Sequence, residues 1–138
     1  HTINRAMKKV TIIVEQASDG SYWCRTAEDI AGIGLNSCGD TVEQAKQDLI
    51  DCYQEAKEDL EEQGKTMPAV EFVYKYDLQS FFNYFSFLNV TEIAKRAGIN
   101  PSLMRQYNSG IKNAGEKTYE RLAACLDRIK AELQAASF

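Results

Sequence analysis

The chain has 138 residues and a formal net charge of −4, which is enough length for one medium domain or two small ones. Its four cysteines have no C-x-x-C spacing and are accompanied by one histidine, which argues against a zinc site. No apolar run is long enough to cross a bilayer, and no signal-peptide pattern opens the chain. We therefore expect a cytoplasmic protein with reduced thiols, no membrane contact, no bound metal and no cofactor.

Residues 1–6 precede a natural-looking start at Met7, and we expect them to be a remnant foreign to the native chain. The single histidine, His1, falls in this remnant. Without it, the chain lacks a histidine to activate a nucleophile or to act as a general base. These considerations exclude a Ser-His-Asp hydrolase, and we expect a protein that is not an enzyme.

Charge is divided unevenly along the chain. Residues 7–66 contain 6 basic and 13 acidic side chains, a net of −7, whereas residues 89–138 contain 8 basic and 5 acidic side chains, a net of +3. This division predicts a basic partner for the front half and nucleic acid for the back half. The alternative for the front half is that an acidic helix serves only solubility.

The front half predicts a β-β-β-α-β order. Apolar residues alternate over residues 10–15, a turn at Asp19-Gly20 leads to a second strand over 22–26, and a third strand is predicted over 32–38. The run Asp40-Thr41-Val42-Glu43 has the form of a capping box that opens a long amphipathic helix. Alternation returns over residues 70–76 as a fourth strand. Residues 7–76 are therefore predicted to form an acidic α+β domain.

The back half, residues 77–138, predicts an all-helical domain with a helix-turn-helix at about 90–109. Its residues 90–113 read VTEIAKRAGINPSLMRQYNSGIKN. Gly98 is suited to a sharp turn after the first helix, and Asn100-Pro101 is typical of an N-cap and first helical position. The residues predicted to form the core of this motif are Ile93, Ala94, Gly98, Met104 and Tyr107.

A helix-turn-helix places the early outward residues of its second helix against base edges in the major groove. We expect Ser102, Arg105 and Gln106 to read bases, with arginine suited to guanine and glutamine to adenine. Lys95, Lys112 and Asn113 are expected to contact phosphates. The alternative is a small helical bundle whose charges are merely solvated.

An aromatic segment connects the two halves. Asp77 is predicted to cap a short helix whose apolar side chains lie on more than one side, which favours burial between domains or in a dimer interface. A final helix is predicted over about residues 117–133. We expect a homodimer or a higher homo-oligomer, because two recognition helices related by a twofold axis read a palindrome.

The front half also carries a family resemblance. Residues 20–56 read GSYWCRTAEDIAGIGLNSCGDTVEQAKQDLIDCYQEA and resemble the N-terminal domain of HicB-family antitoxins, which is a partial ribonuclease-H-like fold. Gly39-Asp40-Thr41 and the helix after it match the family well, and a C-terminal helix-turn-helix extends the resemblance over nearly the whole chain from Met7. Residues 28–33 depart from the Pro-Gly-Cys that many members have there.

The resemblance implies an antitoxin of a type II toxin–antitoxin pair. Such a protein neutralises a HicA-like ribonuclease toxin, which is small and basic, and represses its own operon by binding operator double-stranded DNA, so it would be associated with the bacterial nucleoid when DNA-bound. A nuclease of this fold needs a carboxylate in the middle of its first strand, and residues 9–14 offer none. The alternative function is a one-component transcription regulator whose N-terminal domain senses a ligand or only oligomerises.

Overall fold

A computed structural model describes residues 7–138, and the chain divides into two compact units, one ending at Ser80 and the other beginning at Phe81. The remnant expected at residues 1–6 lies outside the described residues. The described chain is α+β, with a four-stranded mixed sheet and five helices. All four strands lie in the first unit, and the helical segment α2 crosses the division between the two units.

The first unit is a sheet with one long helix. Its strands and helix are β1 (Lys8–Gln16), β2 (Tyr22–Thr26), β3 (Asn36–Gly39), α1 (Val42–Glu62) and β4 (Val70–Tyr76). The strand order is β3-β2-β1-β4, in which β4 runs parallel to β1 and the other neighbours are antiparallel. The long α1 connection lets the chain return to the opposite edge of the sheet in a parallel direction.

The second and fourth strands have the predicted bounds, but the predicted third strand over 32–38 was wrong at its start. Ile30 and Ile33 exchange backbone hydrogen bonds of 2.8 and 2.9 Å across a two-residue turn. Ala31 and Gly32 in this turn have φ values of 51° and 80°, so the chain reverses there instead of extending. The paired strand therefore begins only at Asn36.

The predicted capping box at Asp40 is displaced by one residue. Thr41 is the N-cap of α1, and its Oγ1 accepts from the Gln44 backbone N–H at 3.1 Å. Gln44 Oε1 in turn accepts from the Asp40 backbone N–H at 3.0 Å. The helix therefore opens with Thr41 and Gln44 instead of Asp40 and Glu43, and Gln44 reaches back to Asp40, one residue before the N-cap.

The core of the first unit lies between the sheet and α1. The alternating residues Val10, Ile12 and Val14 of β1 are fully buried, as alternation on a one-sided sheet requires. Ala45 and Leu49 of α1 are fully buried with them, at the helical spacing expected for a packed stripe. The opposite face of the sheet is more exposed and includes Trp23, which is 40% exposed.

The second unit is helical. Its helices are α2 (Leu78–Tyr84), which begins in the first unit, α3 (Val90–Ala97), α4 (Pro101–Asn108) and α5 (Glu116–Gln134). Asp77 caps α2 as predicted, because its Oδ1 accepts from the Ser80 backbone N–H at 2.8 Å. The apolar side chains buried in the second unit are Phe82, Ile93, Ala94, Ile99, Met104, Leu122 and Cys125.

Candidate nucleic-acid interface

Helix α3 has a well-defined beginning and end. Asn89 caps it, with Oδ1 accepting from the Glu92 backbone N–H at 3.1 Å. Gly98 ends it in the left-handed conformation at φ 73°, and the Ile99 N–H returns to the Ala94 carbonyl at 2.9 Å. This is the glycine-terminated helix end that the sequence predicts, and it turns the chain within one residue.

Helix α4 starts three residues after that glycine. Asn100 Oδ1 accepts from the backbone N–H groups of Ser102 and Leu103 at 2.9 and 3.2 Å. Pro101 occupies the first helical position, where its missing N–H leaves no donor unsatisfied within the helix. Because both ends of the short connection are capped, the direction of α4 relative to α3 is fixed by backbone geometry.

Of the five residues predicted as the core of this motif, four are buried or half-buried, whereas Gly98 is exposed at the turn. Ala94 and Met104 are fully buried and Ile93 is 6% exposed, whereas Tyr107 is half-buried. Ile99 and Cys125, which are not among the predicted core residues, are also buried. The signal at Ile99 was available, since an apolar residue between a helix-ending glycine and an N-cap asparagine is well placed to anchor the turn in the core.

Ser102 and Arg105 share one exposed face of α4. They are one helical turn apart, and Arg105 Nη2 donates to Ser102 Oγ at 3.1 Å. Both side chains are exposed. The guanidinium therefore stands at the surface with donors left over for a further acceptor, such as the O6 and N7 atoms of guanine.

Gln106 is placed differently from the other two residues predicted to read bases. Its side chain is half-buried, and its Oε1 is buried without a hydrogen-bond partner among the described residues. One residue further along a helix rotates a side chain by about 100°, which carries Gln106 from the face of Arg105 toward the core. In this structure it is Ser102 and Arg105, without the Gln106 amide oxygen, that form the exposed polar face.

The residues predicted to contact phosphates lie at the surface in two places. Lys95 on α3 is 59% exposed and pairs with Glu92 at 3.3 Å. Lys112 and Asn113 are exposed in the loop between α4 and α5. Within residues 7–138, neither Arg105 nor Lys112 forms an ion pair with a carboxylate, so their positive charges are uncompensated locally.

Helix α5 supports the turn from outside. Arg121 Nη1 donates to the Gly98 carbonyl at 3.4 Å, and Arg96 Nη1 pairs with Glu132 at 3.1 Å. Exposed ion pairs contribute little stability, but they orient α3 against α5. Sequence reasoning missed Arg121 because a long-range contact to one carbonyl leaves no trace in periodicity.

The first unit presents an acidic surface along α1. Cys24 lies in β2 and Cys52 lies in α1 itself. Burial raises the pKa of each of these two thiols above its ordinary value. Carboxylates on the exposed side of the helix greatly outnumber cations. The exposed acidic residues of α1 are Glu43, Asp51, Glu55, Glu58, Asp59, Glu61 and Glu62.

Among the described residues, no group of three or more His, Cys, Asp and Glu side chains comes together in an arrangement that could hold a metal ion. Likewise, no helix between residues 7 and 138 combines the length and apolar character needed to span a bilayer. No protein-family model, curated protein or solved structure matches the chain.

Proposed function

We propose that the chain is a DNA-binding repressor of the antitoxin type, in which the helical unit binds operator DNA and the acidic unit neutralises a small basic ribonuclease. The observation that carries the proposal is the capped α3–α4 pair with Arg105 exposed and locally uncompensated. A fixed pair of short helices with a polar second helix is the arrangement that a helix-turn-helix uses.

In this proposal α4 is the recognition helix. Ser102 and Arg105 lie in its first two turns, which is the part of a recognition helix that reaches base edges. Arg105 reads guanine, and Lys95, Lys112 and Asn113 contact the phosphates on either side. Gln106 reads adenine only if its side chain turns outward from the half-buried position that it has without DNA.

The DNA-binding form is proposed to be at least a dimer. Phe87, which follows α2, is 81% exposed, and its ring lies 6.2 Å from that of Phe85 at a nearly perpendicular angle. An exposed phenylalanine continuous with an aromatic cluster is costly in water and is typical of a surface that another chain covers. A twofold contact here would present two copies of α4 to a palindrome.

The acidic unit is proposed to be a partial ribonuclease-H-like domain that binds its partner without cleaving RNA. Its three antiparallel strands, the α1 connection and the parallel fourth strand support that fold. The inward positions of β1 hold Val10, Ile12 and Val14, where a two-metal nuclease requires a carboxylate. The exposed carboxylates of α1 instead suit a basic protein.

The DNA-binding half of the proposal is tested by selecting duplexes from a random library with the full chain at moderate salt. We expect enrichment of a palindrome whose half-sites are centred about 10 bp apart or a multiple of that spacing. The selected duplex should bind more tightly than a scrambled duplex in fluorescence anisotropy. Equal binding of the two duplexes at all salt concentrations would contradict sequence-specific recognition.

The partner-binding half is tested with the short basic protein encoded next to this chain, if the neighbouring reading frame encodes one. We expect the two purified proteins to form a complex that weakens with salt, and the basic protein to lose ribonuclease activity within it. Retention of DNA binding without any such complex would instead support a one-component regulator. The DNA-binding half and the partner-binding half of the proposal can therefore be contradicted independently of each other.

A further inference from the structure

The two edges of the sheet differ in what lies along them. At the β3 edge, the Cys38 backbone N–H donates to Asp48 Oδ2 at 3.3 Å, and the Asn36 carbonyl accepts from the Cys52 thiol at 3.9 Å. Side chains of α1 therefore occupy the outer side of that short strand. At the other edge, β4 is seven residues long, and no strand among residues 7–138 pairs with its outer side.

The peptide groups on the outer side of β4 belong to its even-numbered residues. The Ala69 carbonyl accepts from the Lys8 N–H, and the Asp77 N–H donates to the Val14 carbonyl, both at 3.1 Å. Odd-numbered residues therefore point their peptide groups toward β1. Because peptide groups alternate along a strand, the even-numbered residues of β4 point theirs away from the sheet.

The sequence of β4 is complementary to itself when it is reversed about Val73. The strand reads VEFVYKY, with Val73 at its centre. The two residues next to Val73 are aromatic, and the residues two positions from it on either side are Glu71 and Lys75. The residues at the two ends of the strand are Val70 and Tyr76. Glu71, Val73 and Lys75 are all exposed on the face of the sheet opposite α1.

We propose that two copies of the chain join edge to edge through β4, antiparallel and in a register centred on Val73. Glu71 of each copy then lies opposite Lys75 of the other on the open face. On the α1 face, Phe72 lies opposite Tyr74 of the second copy. Two four-stranded sheets become one sheet of eight strands.

The backbone geometry agrees with this register. Phe72 and Tyr74 are both even-numbered, so the peptide groups of both point away from their own sheet. Phe72 of one copy and Tyr74 of the other therefore exchange two hydrogen bonds, as a hydrogen-bonded pair does in an antiparallel ladder. Val73 faces Val73 of the second copy in a position without hydrogen bonds, where side chains approach most closely. A register centred between two residues would place each even-numbered residue opposite an odd-numbered one. The peptide groups of the odd-numbered residue point toward β1, so the two could not form hydrogen bonds, and this kind of register is excluded.

Charge selects Val73 among the remaining centres. Centring the pair on Phe72 would place Glu71 opposite Val73, and centring it on Tyr74 would place Val73 opposite Lys75. Only the Val73 register pairs both charges with opposite charges. Lys9 lies beside Glu71 on β1, but the two form no ion pair in the described chain.

Charged residues on an outer strand commonly protect it against pairing with another chain. That protection depends on like charges meeting, or on a charge meeting an apolar side chain. Here the two charges have opposite signs and lie at equal distances from Val73, so the antiparallel register turns them into two cross-strand ion pairs. The charge pattern therefore favours a second copy of β4 over an arbitrary strand.

Disulfide trapping in the full chain tests the register directly. In a Cys38→Ser background, which removes an exposed native thiol, Val73→Cys places two thiols at the twofold axis with Cα atoms about 4.5 Å apart, within the range for a disulfide. The matched control is Thr11→Cys on the neighbouring strand, whose two copies would be about 14 Å apart. We expect rapid covalent dimer formation for Val73→Cys only.

Charge exchange provides the second test. Glu71→Lys and Lys75→Glu each set like charges opposite one another twice, and we expect each to lower the association at this edge about tenfold, read from the trapping yield as a function of concentration. The double variant Glu71→Lys with Lys75→Glu should restore the yield. Unchanged circular dichroism shows that the fold is retained.

Three results would overturn the proposal: equal trapping of Val73→Cys and Thr11→Cys, indifference to the single charge changes, or failure of the double variant to recover. Pairing of the β4 edge with a different protein would leave Val73→Cys untrapped and would also contradict it. The proposal depends neither on DNA binding nor on a toxin, so it can fail while the proposed function stands.

Discussion

The two units differ in how they are stabilised. Among residues 7–80, the first has a continuous core of twelve buried residues. The second buries seven apolar side chains and leaves several large ones exposed, including Phe87 at 81% and Ile111 at 74%. Since burial of apolar surface is the main source of stability, the first unit is better able to fold by itself, whereas the second gains most from covering its surface.

The largest expected effect separates the two cores. Leu49→Ala removes a fully buried side chain from the first unit, and Met104→Ala removes one from the second. Each should lower the free energy of unfolding by about 2–5 kcal/mol in its own unit. Trp23 is the only tryptophan and lies in the first unit, so its fluorescence should report Leu49→Ala but not Met104→Ala. Met104→Ala should instead change only the helical circular dichroism, to which helices of both units contribute.

Hydrogen exchange of peptides from each unit provides the control for this comparison. Leu49→Ala should raise exchange in the first unit and leave α3–α5 unchanged, and Met104→Ala should do the reverse. If either variant raised exchange equally in both units, the two would unfold as one cooperative body, and the contrast drawn between their cores would be wrong.

The next effect concerns function. Arg105→Ala should weaken binding to the selected duplex by about 1–3 kcal/mol and relax selectivity at one base pair, because a bidentate contact to guanine is lost. Arg128→Ala on α5 removes another exposed positive charge, outside α4, and should have a much smaller effect. Fluorescence anisotropy against single-base variants of the site measures both. Equal losses for the two arginines would show that Arg105 contributes only charge.

The sequence predicted most of this architecture because its signals were local. Alternation in β1 and β4, the helical spacing in α1, and the Gly98-Ile99-Asn100 turn each involve neighbouring residues, and the structure has them at or near the predicted positions. The third strand was misplaced because Ala31 adopts a positive φ, which a non-glycine residue rarely does. The hydrogen bonds of Asp48 and Arg121 join distant segments and were invisible to periodicity.

The candidate site shows the same limit. The spacing of Ser102, Arg105 and Gln106 placed all three outward, but consecutive residues of a helix lie about 100° apart, so Arg105 and Gln106 do not both lie at the centre of one face. Gln106 lies at the boundary of that face, so the core draws it inward. The sequence could predict the helix and its polar side, whereas packing against the core determined which side chains lie on the exposed face.

A smaller effect is expected at the turn. Gly98 has a φ of 73°, and a Cβ added there would meet no atom within 4 Å, so Gly98→Ala would cost only the backbone strain of the left-handed conformation, about 1 kcal/mol. The helical signal should melt earlier while Trp23 fluorescence is unchanged. A match between the Gly98→Ala and wild-type melting curves would mean that the turn relaxes to another conformation without cost.

Lys112→Ala should have a still smaller effect at physiological salt, with a distinctive signature. A phosphate contact carries no sequence information, so selected and scrambled duplexes should weaken equally. The slope of log affinity against log salt should fall by about one unit. Lys130→Ala is the control, since Lys130 already pairs with Asp127 at 3.7 Å. Altered sequence selectivity without a change in the salt slope would show that Lys112 contacts DNA bases instead of phosphates.

The smallest expected effect is on the pH dependence of the first unit. Burial raises the pKa of the Cys24 thiol in the folded state above its ordinary 9.0. As pH rises past 9, the unfolded chain loses this proton before the folded chain does, so the free energy of unfolding falls until the pH exceeds the folded-state pKa. Cys24→Ala should flatten the decline seen by Trp23 fluorescence in urea at alkaline pH. Cys38→Ala removes an exposed thiol and should leave the decline intact. A Cys24→Ala profile as steep as that of the wild type would assign the decline to the buried Tyr22 and the half-buried Tyr53, whose pKa values burial also raises.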